Sequence, residues 1–242
     1  ARKSMGGMYM PPIHLLVKPS SGACNLRCRY CFYHDEMQKR QQASYGFMTE
    51  KTLENVISKA MERAEGQCTI AFQGGEPTLI GLDFFRKVVE LQKKYARKRV
   101  KVVNAIQTNG YCMNEEWARF FCENQFLVGL SLDGTRETHD RFRVTPEGEG
   151  TFREILKTAE LFRKFGVEYN ILTVVNAQTA KKIQSIYSYY KKNGFRYLQF
   201  IPCLDPLGEE PGQREYSLTP KAYGEFLCRL FDLWYRDLMS GE

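Results

Sequence analysis

What most limits the fold of this 242-residue chain is an alternation along its length. Short runs of β-type apolar residues are each followed by a longer stretch with helical periodicity. The runs lie at 13–17, 68–72, 100–106, 126–132, 167–175 and 195–201, and helices are expected over 49–64, 83–95, 114–123, 151–165, 179–192 and 219–239. Thr49 suits a helix N-cap, and Pro220 suits a first helical position. Strands alternating with helices imply a parallel sheet with right-handed crossovers. Runs as apolar as FLVGLSL and YNILTVV fit strands buried on both faces. Six such units fall short of the eight that close a TIM barrel. The expected fold is therefore α/β, a partial, open (βα)6 TIM-like barrel, with a doubly wound sheet as the alternative. Either would place an active site at the C-terminal ends of the strands.

The unusual loops gather at those ends. A cysteine loop follows the first run, Gln73-Gly74-Gly75-Glu76-Pro77 the second, and Gln107-Thr108-Asn109-Gly110 the third. Ser131-Leu132-Asp133-Gly134 follows the fourth and Pro202-Cys203-Leu204-Asp205-Pro206 the sixth. Loops drawn from five separate units converge on one face, which points to function more strongly than any single motif does.

Residues 1–11 are read as a disordered or added leader and 12–242 as one domain. The first ten residues lack the apolar core of a secretory signal. No apolar run approaches the roughly 20 residues that cross a bilayer, so no membrane partner is expected and the cytoplasm is the expected compartment. The net charge is +7. Its densest basic stretch, Lys93 to Arg99, falls at an expected helix C-terminus, where the backbone dipole favours cations. No nucleic-acid motif accompanies it, so no nucleic-acid partner is expected.

Of eight cysteines, three fall together as Cys24-x3-Cys28-x2-Cys31. The other five (Cys68, Cys112, Cys122, Cys203, Cys228) are scattered and read as inert core residues rather than ligands. Three thiolates on one loop can ligate three irons of a cubane and leave the fourth iron open, which points to catalysis rather than electron transfer. A zinc-stabilised, non-catalytic binding module is the rival, because His34 could complete a Cys3His tetrahedron. In the second motif, Gly74 and Gly75 would let a ligand approach the main chain, with Glu76 as a nearby carboxylate for an ammonium group. A plain βα turn would use the same residues.

C-x3-C-x2-C with an aromatic residue before the last cysteine, followed by GGEP, resembles the radical S-adenosylmethionine superfamily. The blocks SSGACNLRCRYCFYH, FQGGEPTL, QTNG, GLSLDG, QFIPCLDPL and LFDLWYRD resemble the anaerobic sulfatase-maturating enzymes. The resemblance implies that Cys24, Cys28 and Cys31 ligate a [4Fe–4S] cluster and that the open iron binds S-adenosylmethionine. Reductive cleavage of that molecule would give a 5′-deoxyadenosyl radical. Tyr30 would contact the adenine side, Gly75 the methionine ammonium, Ser131 and Arg143 the carboxylate, and Leu204 the nucleoside. Read from the residues alone, Arg143 is instead a surface arginine in the run Asp140-Arg141-Phe142-Arg143.

In that family the radical takes a Cβ hydrogen from a cysteine or serine of a sulfatase peptide, which becomes Cα-formylglycine. Tyr33, Gln73 and Gln107 match positions near the bound peptide, although strand-end glutamines are also ordinary polar residues. A reductant such as flavodoxin or ferredoxin is the implied electron donor. A related maturase that crosslinks a small peptide shares several of these blocks. The family continues into a SPASM-type domain with two auxiliary clusters and the aspartate thought to act as general base. This chain reaches Glu242 without a second cysteine group, so that domain and a catalytic base are expected to be absent from it.

Overall fold

Strands β1 (Ile13–Val17), β2 (Gly66–Phe72), β3 (Val100–Thr108), β4 (Leu127–Ser131), β5 (Tyr169–Val175) and β6 (Leu198–Pro202) form one sheet. Every pairing is parallel, and the spatial order follows the chain, β1-β2-β3-β4-β5-β6. A doubly wound sheet would reverse direction at a switch point; this order never reverses, so the sheet curls into an open half-barrel with helices outside it. The structure, a computed structural model, describes residues 11–241. Of the leader expected over 1–11, only Pro11 falls within them.

The outer layer contains α2 (Glu50–Arg63), α3 (Leu82–Lys94), α4 (Glu115–Glu123), α6 (Phe152–Phe165), α8 (Ile183–Lys192) and α9 (Pro220–Ser240). Their starts follow the capping rule. Thr49, Asn114 and Thr219 each accept a hydrogen bond from the backbone N–H three residues on, at 3.2, 3.0 and 3.2 Å. The basic stretch after α3 has structural work. Lys94 pairs with Glu54 at 2.7 Å, and the Arg97 guanidinium donates to the carbonyls of Met61, Glu62 and Ala64, which the end of α2 leaves without helical partners. The main core lies between sheet and helices, where Phe72, Phe85, Phe120, Phe121 and Phe126 pack at ring-centroid distances between 5.1 and 6.4 Å.

Three strands begin later than the apolar pattern predicts, for one shared reason. Gln125, Gly166 and Gly194 take left-handed φ values of 52°, 70° and 70°. The next residue in each case, Phe126, Val167 or Phe195, is buried and donates its N–H back to Phe121, Phe162 or Tyr190. These apolar residues plug the turn after a helix in a Schellman-like closure, so they are not strand residues. The helix expected over 179–192 is broken at Lys182 into α7 (Ala177–Lys181) and α8. Among the described residues two α-helices were not expected. The short α5 (Arg136–Asp140) follows β4, and α1 (Phe32–Lys39) follows the cysteine loop. The latter buries no side chain and carries i,i+4 ion pairs, Asp35–Lys39 and Glu36–Arg40.

Gln125 holds a conformation that costs a side-chain-bearing residue about 1–2 kcal/mol. Gln125→Gly is therefore expected to raise stability to denaturant by about 1 kcal/mol. Phe126→Ala, which empties the aromatic core one residue later, is expected to lower it by about 3–5 kcal/mol. Urea titration of both variants checks the pair.

Candidate active site

The cysteine loop between β1 and α1 is held by main-chain bonds. Arg27 and Arg29 donate their N–H groups to the carbonyls of Val144 and Phe142 at 2.8 and 2.9 Å, so the loop runs beside the segment after α5. Cys31 is the N-cap residue of α1. Asn109, from the loop after β3, reaches Cys24 Sγ at 3.7 Å and Asn25 Oδ1 at 2.8 Å, while the Leu26 N–H points at Cys24 Sγ at 3.4 Å. Burial pushes the Cys24 thiol up to about 11 and the Cys28 thiol up to about 12. Metal binding must displace those protons.

The loop after β2 braces this arrangement. Gly75 N and Glu76 N donate to the carbonyls of Ser21 and Ala23 at 3.1 and 2.7 Å. A Cβ on Gly75 would sit 2.1 Å from the Ala23 carbonyl oxygen, so only glycine permits the approach. The two glycine-loop amides thus hold the cysteine loop. Glu76, expected beside the cofactor, is placed outside the cavity lining. Its side chain is buried beneath the loops, and its oxygens accept from Thr78 N, Thr78 Oγ1, Thr108 Oγ1 and Asn109 N at 2.6 to 3.1 Å. Burial raises its pKa although these four donors oppose the rise. Glu76 locks the β2 loop to the β3 loop.

A second buried carboxylate, Asp133 after β4, organises the far wall. Arg143 Nε donates to Oδ2 at 2.9 Å, the Tyr30 hydroxyl donates to the same oxygen, and Val174 N donates to Oδ1 at 2.9 Å. Arg143 is 8% exposed, which overturns its reading as a surface arginine. Burial opposes its charge, but Asp133, with Tyr30 and Cys28 beside it, outweighs this and the guanidinium stays protonated. Burial also holds the Tyr30 phenol well above its ordinary value, so it remains a donor. Behind Asp133, its own N–H donates to His139 Nδ1 at 3.2 Å. The ring proton therefore sits on Nε2 and is donated to Thr151 Oγ1 at 3.0 Å, and that hydroxyl donates on to the Arg143 carbonyl. Burial, and then the Arg143 charge, lower the His139 pKa well below its ordinary value.

These walls enclose a cavity of about 190 Å³ at the C-terminal ends of the strands. Cys24, Cys28, Cys31, Tyr30, Tyr33, Gln73, Gly74, Gly75, Gln107, Ser131, Arg143 and Leu204 all line it. Gln73 Nε2 donates to the Tyr33 hydroxyl at 2.8 Å. Sequence reasoning missed three contributors. Asp133 lay inside the GLSLDG block, and Asn109 inside QTNG. Cys203, read as an inert core residue, also lines the cavity; burial and the Asp133 and Asp205 carboxylates push its thiol up to about 12. Of the remaining scattered cysteines only Cys68 is buried, whereas Cys112, Cys122 and Cys228 are exposed on a loop and two outward helix faces.

The residues fit an iron–sulfur cluster better than a single zinc. Three thiols border one cavity, yet among the described residues no three His, Cys, Asp or Glu side chains converge on one ion position. His34, the fourth ligand a zinc site would need, is exposed, lies outside the cavity lining and pairs with Gln38 at 3.1 Å. Three sulfurs around a space, with a protonated Arg143 opposite, suit a cluster with one open iron and an anionic ligand on it.

A profile of the Radical SAM superfamily matches residues 19–190. The cysteine-type anaerobic sulfatase-maturating enzyme of Clostridium perfringens is 50% identical over 96% of this chain and 63% of its own length. The serine-type enzyme of Bacteroides thetaiotaomicron is 34% identical over 95% of this chain and 59% of its own length. A solved structure described as native anSMEcpe with bound AdoMet and Kp18Cys peptide superposes with a TM-score of 0.91 at 50% identity, covering 96% of this chain and 62% of that one. The chain thus spans about three-fifths of the length of the relatives it matches.

A His whose folded pKa lies below its unfolded value contributes stability above the unfolded value, and loses it as pH falls. With an unfolded value of about 6.5, stability is expected to decline below about pH 6.5, by at most about 1.4 kcal/mol per pH unit from this group. Urea midpoints measured from about pH 7.5 to about pH 5 are expected to fall less steeply in His139→Asn than in the parent protein.

Proposed function

Because the chain belongs to the radical SAM superfamily, we propose that it forms the radical core of a cysteine-type anaerobic sulfatase-maturating enzyme. In this reading it binds a [4Fe–4S] cluster and S-adenosylmethionine, and a cysteine of a sulfatase peptide becomes Cα-formylglycine. One observation carries the reading. The three thiols, the Asp133-held pair Tyr30 and Arg143, and the Gly74–Gly75 turn, brought from separate loops, border a single cavity at the strand ends, with Asp133 itself behind the wall. The preference for cysteine over serine rests on 50% identity to the cysteine-type relative against 34% to the serine-type one.

When bound, the cluster and S-adenosylmethionine would together supply an electron and a radical that removes a hydrogen atom from Cβ of the target residue. The chain's own residues prepare the site for that event. Cys24, Cys28 and Cys31 hold the cluster. Glu76 fixes the loops after β2 and β3 around it. Asp133 fixes the Tyr30 ring and the Arg143 guanidinium, leaving a cation at the cavity wall that, with Ser131, receives the carboxylate of S-adenosylmethionine. Val174, Ile201 and Leu204 give that wall an apolar surface that displaces water from the nucleoside. Tyr33, hydrogen-bonded to Gln73, and Gln107 face the peptide from the lumen side.

The test is anaerobic reconstitution with iron and sulfide, reduction with S-adenosylmethionine present, and assay of 5′-deoxyadenosine and of a hydrazide-reactive aldehyde on a cysteine-containing sulfatase peptide. The parent protein is expected to give both products and Cys28→Ala neither. Arg143→Lys, which keeps the charge but loses the planar fork, is expected to raise the KM for S-adenosylmethionine by about tenfold. Cleavage of S-adenosylmethionine without aldehyde would leave the radical core standing and overturn the peptide assignment. Undiminished turnover in Cys28→Ala would overturn both.

A further inference from the structure

Residues 203–219 connect β6 to α9 without a strand or helix of their own. A connection of that length is uncommon in a compact domain and is usually functional. This one contributes Cys203 and Leu204 to the active cavity. Sheet pairing ends just before Leu204: Val175 pairs with Pro202, and Cys203 N donates to the Val175 carbonyl at 2.9 Å. Leu204 is 59% exposed, so burial contributes little to where it stands. Its position depends on the residue that follows.

That residue closes the connection on itself. Asp205 Oδ2 accepts from Gly212 N at 2.8 Å, and Oδ1 accepts from the Ser217 hydroxyl at 2.5 Å. The same hydroxyl accepts from Arg214 N at 2.9 Å, and Ser217 is buried. One carboxylate thus gathers chain seven and twelve residues ahead of it into a compact Ω-type loop.

The far end of the loop is anchored to the body of the protein. Ala177 N donates to the Tyr216 carbonyl at 3.2 Å, and the Tyr216 ring meets Tyr30 edge-on at 6.4 Å. Through Ser217, Asp205 passes that anchorage to its neighbour Leu204. The loop's remaining side-chain ties lie at the surface: Leu207 N donates to Asp35 at 3.1 Å, Glu209 pairs with Arg214, and Glu215 pairs with Arg141. Exposed pairs of this kind hold a main chain weakly.

We propose that Asp205 is a positioning residue for the nucleoside half of the S-adenosylmethionine site, holding Leu204 against the cavity. The inference rests on the S-adenosylmethionine binding proposed above. Asp205 stands outside the cavity lining, so it touches no reacting atom. Its loss therefore weakens binding equally in the ground and transition states, which raises KM and spares kcat.

The experiment is steady-state production of 5′-deoxyadenosine by the reduced, cluster-loaded protein over a range of S-adenosylmethionine concentrations. Asp205→Ala is expected to raise KM about fivefold to tenfold, with kcat within about twofold of the parent. Asp205→Asn, which keeps one acceptor oxygen, is expected to recover part of the affinity. Adding Ser217→Ala to Asp205→Ala is expected to change KM little further, because both substitutions cut the same bond. Glu209→Gln, on the outer side of the loop, is expected to leave KM at the parent value. The parent protein supplies a measurement that needs no variant: S-adenosylmethionine is expected to slow hydrogen exchange of the Gly212 N–H, the donor to Asp205. An unchanged KM in Asp205→Ala, a fall in kcat at constant KM, or Gly212 exchange indifferent to S-adenosylmethionine would overturn this inference alone. A parent protein that binds no S-adenosylmethionine would overturn the proposed function and this inference with it.

Discussion

The carboxylate of Asp133 is the point on which the far wall of the site depends. It has no exposure to water, and it draws its partners from three places in the chain: Tyr30 from the cysteine loop, Val174 from β5 and Arg143 from the segment after α5. A buried ion pair of this kind gives little net stability compared with apolar packing, but removing one partner strands the other charge at a cost of about 3–5 kcal/mol. Such a pair is therefore weak evidence for stability and stronger evidence for placement. It sets where one guanidinium and one aromatic ring stand relative to three thiols. The hydrogen-bond chain from Asp133 N–H through His139 and Thr151 back to the Arg143 carbonyl holds the main chain around that pair in the same arrangement.

The near wall is built with a different device. Glu76 is also buried and ionisable, but its partners are hydroxyls and backbone amides rather than a cation. It ties two strand-end loops together, while the absent side chain of Gly75 lets one of them lie against the backbone of the cysteine loop. The two carboxylates therefore tie the loops that follow β1, β2, β3 and β4, together with the end of β5, around one cavity. None of the loops needs to be rigid alone. The open edge of the sheet between β1 and β6 is spanned at its top by Leu207, whose N–H donates to Asp35 and whose carbonyl accepts from Lys39, both on α1.

Much of this was legible in the sequence, because strand and helix periodicities differ and each strand-end loop carries polar or glycine-rich residues in an otherwise apolar context. Strand starts were not. Val167 and Phe195 look like strand residues because they are apolar and precede apolar runs, yet they close the turn after a left-handed glycine. Arg143 looked exposed because its run contains Asp140 and Arg141, which do meet solvent; nothing local shows that the fourth residue turns inward to a carboxylate ten positions earlier. The partners of Glu76 were equally hidden in the sequence. A carboxylate in a glycine loop resembles a ligand group, and only the three-dimensional placement of Thr108 and Asn109 reveals that its oxygens are occupied.

The claim at the centre of this account is that Cys24, Cys28 and Cys31 hold a cluster with one iron free for S-adenosylmethionine. Electron paramagnetic resonance of the reduced, reconstituted protein, recorded with and without S-adenosylmethionine, addresses it most directly. The account predicts a [4Fe–4S] signal whose g-values shift when S-adenosylmethionine is added, and the loss of that signal in Cys28→Ala. A signal indifferent to S-adenosylmethionine, or one that survives the substitution, would contradict it.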